Sequence, residues 1–261
     1  MHLGLENRVC LLTGSTAGIG LEAARMLVEE AATVVVCGRT QESVERVRAE
    51  TGAALGVAAD LLEPAGPAAV VEAAEAAFGR VDCLVNNVGI AYQASFDELT
   101  DAQWEEMWQL NVMSYIRAIQ AVLPGMRERR FGRVVNVSST AGKRPSTGMP
   151  NYSVTKAAVL SVSRLVADLY AKDGILCNAV TPGPTLSPAW LAEGGLADQV
   201  ADRTGKTREQ VLADIGKGRP IGRMAEPAEI AAAILFLCSD RASFVTGAAW
   251  SIDGGTVPVI I

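Results

Sequence analysis

Arg8-Val9-Cys10-Leu11-Leu12-Thr13-Gly14-Ser15-Thr16-Ala17-Gly18-Ile19-Gly20 is the stretch on which the fold turns. Residues 8–12 form a short apolar run that reads as a buried strand, and an amphipathic helix is expected over about residues 21–30. The turn between them has the spacing Gly-x-x-x-Gly-x-Gly, longer than the Gly-x-Gly-x-x-Gly fingerprint. Strand, glycine turn and helix in that order are what a dinucleotide site requires. Glycines let the backbone approach a pyrophosphate, and the free N–H groups at the helix start attract its charge. A glycine turn alone is as often structural; its position between strand and helix is what points to a cofactor.

Outward from this turn, apolar runs at 33–37, 53–59, 81–85, 132–137, 175–180 and 248–252 alternate with helical stretches. That alternation predicts an α/β fold, a Rossmann-like doubly wound parallel sheet of about seven strands with helices on both faces. The chain has 261 residues, 49% of them apolar, with no linker, repeat or low-complexity segment, so one domain over 1–261 is expected. The longest irregular segment runs from about 182 to 227. It is expected to hold a helix near 196–215 and, over 184–226, to fold across the site as a lid.

The net charge of −6 argues against a nucleic-acid surface, and the basic Arg127-Glu128-Arg129-Arg130 ends a helix, where cations suit the dipole. No apolar run reaches membrane-spanning length, and the first strand starts too early to leave room for a signal peptide. Cys10, Cys37, Cys83, Cys177 and Cys238 are scattered singly and read as buried reduced thiols of a cytoplasmic protein. The only histidine is His2, so a Ser-His-Asp hydrolase has no base, and the Cys and His clusters of a zinc alcohol dehydrogenase are absent. A metal-free oxidoreductase is left.

Four residues, Ser139, Tyr152, Lys156 and Asn111, then suggest the chemistry. Tyr152 and Lys156 lie four apart and share one helix face. A phenol is a poor acid near neutrality, and an ammonium beside it favours the phenolate and lowers its pKa. Ser139 closes the run 133–138, where its hydroxyl could hold a carbonyl oxygen next to the phenol. Taken alone, the Tyr-x-x-x-Lys spacing also fits a surface tyrosine stacked on a lysine stem, and Ser139 a strand-end cap.

Together these motifs resemble the shorter, single-domain branch of the short-chain dehydrogenase/reductase family, and among its members the 3-oxoacyl reductase-like ones. The resemblance covers about residues 5–255, in the family's order. It rests on Thr13-Gly14-x-x-x-Gly18-Ile19-Gly20, on Asp60 after the run 53–59, on Asn86-Asn87-Val88-Gly89 with valine in place of the usual alanine, on Pro182-Gly183 and on Asp253-Gly254-Gly255. Asn111, Ser139, Tyr152 and Lys156 fall at the positions of its catalytic tetrad. The resemblance implies hydride transfer between a nicotinamide and a small-molecule ketone or secondary alcohol. In it Tyr152 protonates the oxygen, Ser139 hydrogen-bonds it, and Lys156 tunes the phenol and binds the ribose. Asn111, placed on a long helix 101–130, would hold a water that links Lys156 to solvent.

The implied cofactor contacts begin with Gly14, Ser15, Thr16, Gly18, Ile19 and Gly20 of the turn. They continue through Asp60 and Leu61, Asn87 and Gly89, Tyr152 and Lys156, to Pro182, Gly183 and Thr185. At the end of the second strand, where an NAD enzyme carries an acidic residue, stand Gly38 and then Arg39. A guanidinium there suits a 2′-phosphate, so NADP(H) is favoured and NAD(H) remains possible. The helices 101–130 and 151–171 resemble the family's dimerisation pair, and the apolar end Val257-Pro258-Val259-Ile260-Ile261 is expected to pack on a neighbouring subunit or, alternatively, within its own chain; the expectation is a homotetramer. Three alternatives stay open: a catalytically silent dinucleotide sensor, a dehydratase or epimerase, and a 3-oxoacyl-carrier-protein reductase. Against the last, Asp173 stands where such reductases place an arginine for their acidic partner.

Overall fold

In the computed structural model, which describes residues 2–258, seven parallel strands form a single sheet. They are β1 (Val9–Leu12), β2 (Thr33–Gly38), β3 (Leu55–Ala58), β4 (Cys83–Asn86), β5 (Gly132–Val137), β6 (Ile175–Pro182) and β7 (Ala249–Ile252), in the order β3-β2-β1-β4-β5-β6-β7. The order reverses between β1 and β4, and open α/β sheets bind ligands beside that point, at the carboxyl ends of the strands. The doubly wound fold read from the sequence is the observed one.

The helices are α1 (Gly18–Glu29), α2 (Gln41–Thr51), α3 (Gly66–Phe78), α4 (Asp101–Trp108), α5 (Ser114–Arg129), α6 (Thr140–Lys143) and α7 (Pro150–Tyr170), then α8 (Pro188–Leu191), α9 (Leu196–Thr204), α10 (Arg208–Lys217) and α11 (Pro227–Cys238). Strand side chains alternate between two cores. Cys10, Leu12, Val34 and Val36 pack against Ala24 and Leu27 of α1 and Ile230 and Ile234 of α11. Val9, Leu11 and Val35 pack against Val70 and Ala74 of α3, Ile119 and Val122 of α5, and Val166 of α7. The five inner strands, β1, β2, β4, β5 and β6, are buried on both faces, which explains why these segments read as continuous apolar runs rather than alternating ones. All five cysteines are buried and free, as the scattered spacing predicted.

Polar side chains fix α7 against the sheet. Asn86 at the end of β4 donates to the Asn136 side chain of β5 (2.9 Å), and Asn136 donates to Ser163 Oγ of α7 (2.9 Å). The Ser138 hydroxyl donates to the Lys156 carbonyl (2.7 Å). All these residues are buried, where an unpaired amide or hydroxyl is strongly disfavoured, so the register of α7 on β5 is specified at several points.

Two expected helices differ. The helix expected over 101–130 is broken by a π-helical turn at Gln109–Met113, with Asn111 inside it. The helix expected near 196–215 is two helices, α9 and α10. Gly205 ends the first with φ 67°, in the left-handed region, and Thr207 caps the second by accepting from Gln210 N while the Gln210 side chain accepts from Thr207 N. Residues 259–261 of the apolar end lie outside the described residues.

Candidate active site

The glycine turn owes its shape to Gly14. It adopts φ 60°, and a Cβ there would stand 2.7 Å from Val88 Cα. The turn is braced from below: Asn87 Nδ2 donates to the carbonyls of Gly14 (2.8 Å) and Thr13 (3.2 Å), and Asn87 N donates to Thr13 Oγ1 (3.0 Å). Asn87 therefore holds the turn rather than reaching out with its amide. Ser15 is turned inward as well. Its hydroxyl donates to the Leu12 carbonyl (3.0 Å) and accepts from Cys37 N (2.8 Å), and its own N–H donates to the Cys37 carbonyl (3.1 Å). Its side chain and its N–H are thus both engaged within the protein.

Gly38 ends β2 under the same turn. A Cβ on it would lie 2.4 Å from Thr16 Cγ2, so any side chain there would have to displace the Thr16 methyl. Arg39 next to it is exposed and, among the described residues, has no hydrogen-bonding or ionic partner. Thr16 turns its carbonyl to Arg46 of α2 (3.0 Å). Asp60 is exposed beyond β3, its carboxylate accepting from Leu62 N (2.9 Å), and Leu61 is buried beside it.

A cleft of about 590 Å³ opens at the carboxyl ends of the strands. Its lining includes Ile19, Asn87, Gly89, Ser139, Tyr152, Lys156, Pro182, Gly183 and Thr185. Gly14, Ser15, Thr16, Gly18, Gly20, Arg39, Asp60, Leu61 and Asn111 are not among the lining residues; they lie in the turn and elements around it. Thr185 donates to the Gly183 carbonyl (3.0 Å) and bridges to Ala225, which pins the start of the 184–226 segment to its end. Trp190 and Leu196 of that segment also line the cleft.

Ser139 caps α6, accepting from Ala141 N (3.1 Å). Its hydroxyl also acts on the Tyr152 phenol as a hydrogen-bond partner that favours the phenolate. Burial acts more strongly in the opposite direction and raises the Tyr152 pKa above its ordinary value. Lys156 is only 3% exposed, and burial lowers its pKa from 10.5 to about 7. Its Nζ donates to the Val137 carbonyl (2.8 Å), lies 3.5 Å from Tyr115 Oη and stands 5.7 Å from the Tyr152 ring centre. The expectation that Lys156 draws down the tyrosine pKa is thus corrected for the ligand-free site. Desolvation controls both groups, and a lysine that is only partly charged near pH 7 exerts less pull on the phenol than a full ammonium.

Asn111 projects from the π turn onto the loop after β4. Its Oδ1 accepts from Ile90 N and its Nδ2 donates to the Ile90 carbonyl, both at 2.9 Å. Gly89 sits between it and the lysine. A Cβ on Gly89 would be 3.0 Å from Asn111 Oδ1 and 3.5 Å from Lys156 Nζ, so the missing side chain keeps open the space between the two. Tyr115 is the residue the sequence reading missed. It is buried, donates to the Val88 carbonyl (2.9 Å) and faces Lys156. Its signal was its place four residues after Asn111, one turn along the same helix.

A family model described as Enoyl-(Acyl carrier protein) reductase matches residues 14–257. The uncharacterized oxidoreductase YvrD of Bacillus subtilis is 37% identical over 98% of this chain and 99% of its own length. 2-(S)-hydroxypropyl-CoM dehydrogenase 3 of Xanthobacter autotrophicus is 36% identical over 98% of each chain. The crystal structure of L-sorbose reductase from Gluconobacter frateurii, complexed with NADPH and L-sorbose, superposes with a TM-score of 0.91 at 33% identity over 100% of both chains. The chain belongs to the short-chain dehydrogenase/reductase family. As a member it is an NAD(P)-dependent oxidoreductase of CH–OH and carbonyl groups. Among the described residues, no helix is long and apolar enough to cross a membrane.

Proposed function

We propose that this short-chain dehydrogenase/reductase interconverts a small-molecule ketone and its secondary alcohol with NADP(H), using Tyr152 as general acid and base. The observation that carries the reading is the meeting of Ser139, Tyr152 and Lys156 on one cleft, which Ile19 beside the glycine turn also lines. NADP(H), when bound, supplies or accepts the hydride at the substrate carbon. The chain has a cradle for it in Gly14 and Gly38, neither of which has room for a Cβ, with the unpaired Arg39 available for a 2′-phosphate. The L-sorbose reductase relative was crystallised with NADPH, which supports the same preference.

As carbonyl becomes alkoxide, charge builds on oxygen in a site where burial strengthens every hydrogen bond. Ser139 donates to that oxygen and Tyr152 delivers its proton there. The raised tyrosine pKa suits an acid that keeps its proton until charge appears, so the ligand-free site is set for reduction. Lys156 holds the ribose beside the phenol, and an oxygen-rich partner there favours its charged form. Asn111 fixes the Gly89–Ile90 backbone and keeps the passage to Lys156 open. The 184–226 segment carries Trp190 and Leu196 over the substrate as a lid. The assembly is a homotetramer.

Carrier-bound acyl chains are disfavoured. The arginines that might meet an acidic carrier are engaged internally: Arg129 donates to the Val81 carbonyl (2.9 Å), Arg130 to the Lys172 carbonyl (2.7 Å), and Arg127 pairs with Asp173 (2.7 Å). Tyr152→Phe tests the catalytic reading. It should keep NADPH affinity and fold while lowering kcat on a responsive ketone by at least ~10². Near-normal turnover would remove Tyr152 from the chemistry. NADPH binding by the wild type with no consumption across a broad carbonyl panel would favour the silent sensor.

A further inference from the structure

The chain carries more acidic than basic residues, 29 against 23. Yet no aspartate or glutamate lines the main cleft, while Arg144, Lys156 and Arg219 do. An acid-free, cation-lined cavity in a negatively charged molecule concentrates positive potential where substrate enters.

The arginines of this protein are otherwise engaged. Arg208 pairs with Asp198, Arg223 with Glu229 and Arg164 with Asp168, and others donate to backbone carbonyls, as Arg129 and Arg130 do. Among the described residues, three make no side-chain hydrogen bond or ion pair: Arg39, Arg144 and Arg219. Arg39 has a reason to be free in the cofactor reading. The other two both line the cleft.

Arg219 is the more constrained. Its Nε is buried and has no partner; Arg117, Arg129 and Arg133 also bury one unpartnered guanidinium nitrogen, but each donates through another nitrogen and Arg219 through none. Its backbone cannot swing to find one. Arg219 N donates to the Gly216 carbonyl (3.1 Å), Gly222 N donates to the Arg219 carbonyl (2.9 Å), and Ile221 N is tied to the Gly254 carbonyl (3.2 Å). A guanidinium held on a fixed turn with an unsatisfied donor is preorganised for a planar oxyanion, which it can bind through two parallel hydrogen bonds.

We propose that the substrate is an anionic ketone or alcohol, one bearing a carboxylate, phosphate or sulfonate, and that Arg219 binds its charged end, with Arg144 as a second, more exposed cation. The inference rests on the ketoreductase reading and deepens it. The cofactor's own phosphates are the competing source of an oxyanion, and the test separates the two.

The probes are acetoacetate and levulinate, each against its methyl ester, together with a phosphate- and a sulfonate-bearing methyl ketone against their neutral counterparts. Wild-type kcat/KM should favour the best anion over its neutral partner by about ten- to a hundredfold, the size of one charge-assisted contact. Arg219→Met should remove that preference mainly through KM, and Arg144→Met should reduce it less. Calorimetry supplies a readout independent of turnover: the preferred anion should bind the wild-type NADPH complex and not the Arg219→Met complex, while both proteins bind NADPH alike. A wild type that prefers the neutral partners, an Arg219→Met variant that loses both members of each pair equally, or weakened NADPH binding with the preference intact would overturn the inference. So would the absence of Arg219-dependent anion binding, whether or not any ketone reacts. Failure of the ketoreductase reading would instead show as bound anion and bound NADPH with no hydride transfer.

Discussion

Replacing Lys156 by methionine should make the ligand-free protein more stable while disabling the enzyme. Burial lowers the lysine pKa from 10.5 to about 7, and each tenfold loss of proton affinity corresponds to about 1.4 kcal/mol. At pH 7 the buried ammonium therefore costs about 4 kcal/mol relative to the unfolded chain, an upper figure because local relaxation and water soften it. Methionine fills a similar volume without the charge. Tyr115 keeps its own hydrogen bond to the Val88 carbonyl (2.9 Å), while the Val137 carbonyl loses the lysine donor and keeps only the Tyr115 hydroxyl 3.2 Å away. The lost hydrogen bonds subtract about 1 kcal/mol, leaving a net gain of about 2–3 kcal/mol near pH 7. The sign with pH follows from proton counting. Between about 7 and 10.5 the unfolded lysine holds a proton that the folded one has released, so wild-type stability rises with pH over that window. The advantage of Lys156→Met should be full below about pH 7 and should fade as pH climbs towards 10.5. Urea unfolding of the cofactor-free proteins at a series of pH values measures it. A variant less stable than wild type at every pH, or a difference that does not change with pH, would refute the argument that desolvation dominates at this residue.

Arg39→Ala should raise the Kd for NADPH by about ten- to a hundredfold and leave NADH unchanged, as fluorescence titration would show; equal effects on both would remove Arg39 from 2′-phosphate recognition. Light scattering should give a particle about four times the 27.3 kDa chain, since Val154 (50% exposed), Leu165 (57%) and Leu169 (66%) leave apolar surface along α7. A single-chain mass at micromolar concentration would end the tetramer, and Leu165→Glu with Leu169→Glu should dissociate it.

The parts of the fold legible in the sequence were those set by period and spacing. Strands buried on both faces leave apolar runs that no loop produces, and β5 occupies the run that marked it. The lid was read as one helix although its division was written in the chain: Gly205 followed by Thr207-Arg208-Glu209-Gln210 carries a left-handed stop and then a capping box. The π turn had no such mark. It inserts a residue without changing which residue types are helical, so a pattern of apolar positions passes through it unaltered.

The site was legible as a set of positions and illegible as a set of environments. Spacing placed Tyr152 and Lys156 on one helix face, and from there a nearby ammonium was expected to control the phenol. Spacing says nothing of depth, and depth decides the sign here. Lys156 is buried against Val137, Tyr115 and Gly89, so its own charge is the unstable quantity. The π turn bears on the same point. By carrying Asn111 onto both the N–H and the carbonyl of Ile90, it holds the Gly89 backbone where a side chain would close the gap to Lys156. In the proposed mechanism, ribose oxygens around Nζ would favour the charged lysine and so strengthen its pull on Tyr152 as the cofactor binds. Such coupling needs a buried lysine, and burial is what the spacing of Tyr152 and Lys156 does not display.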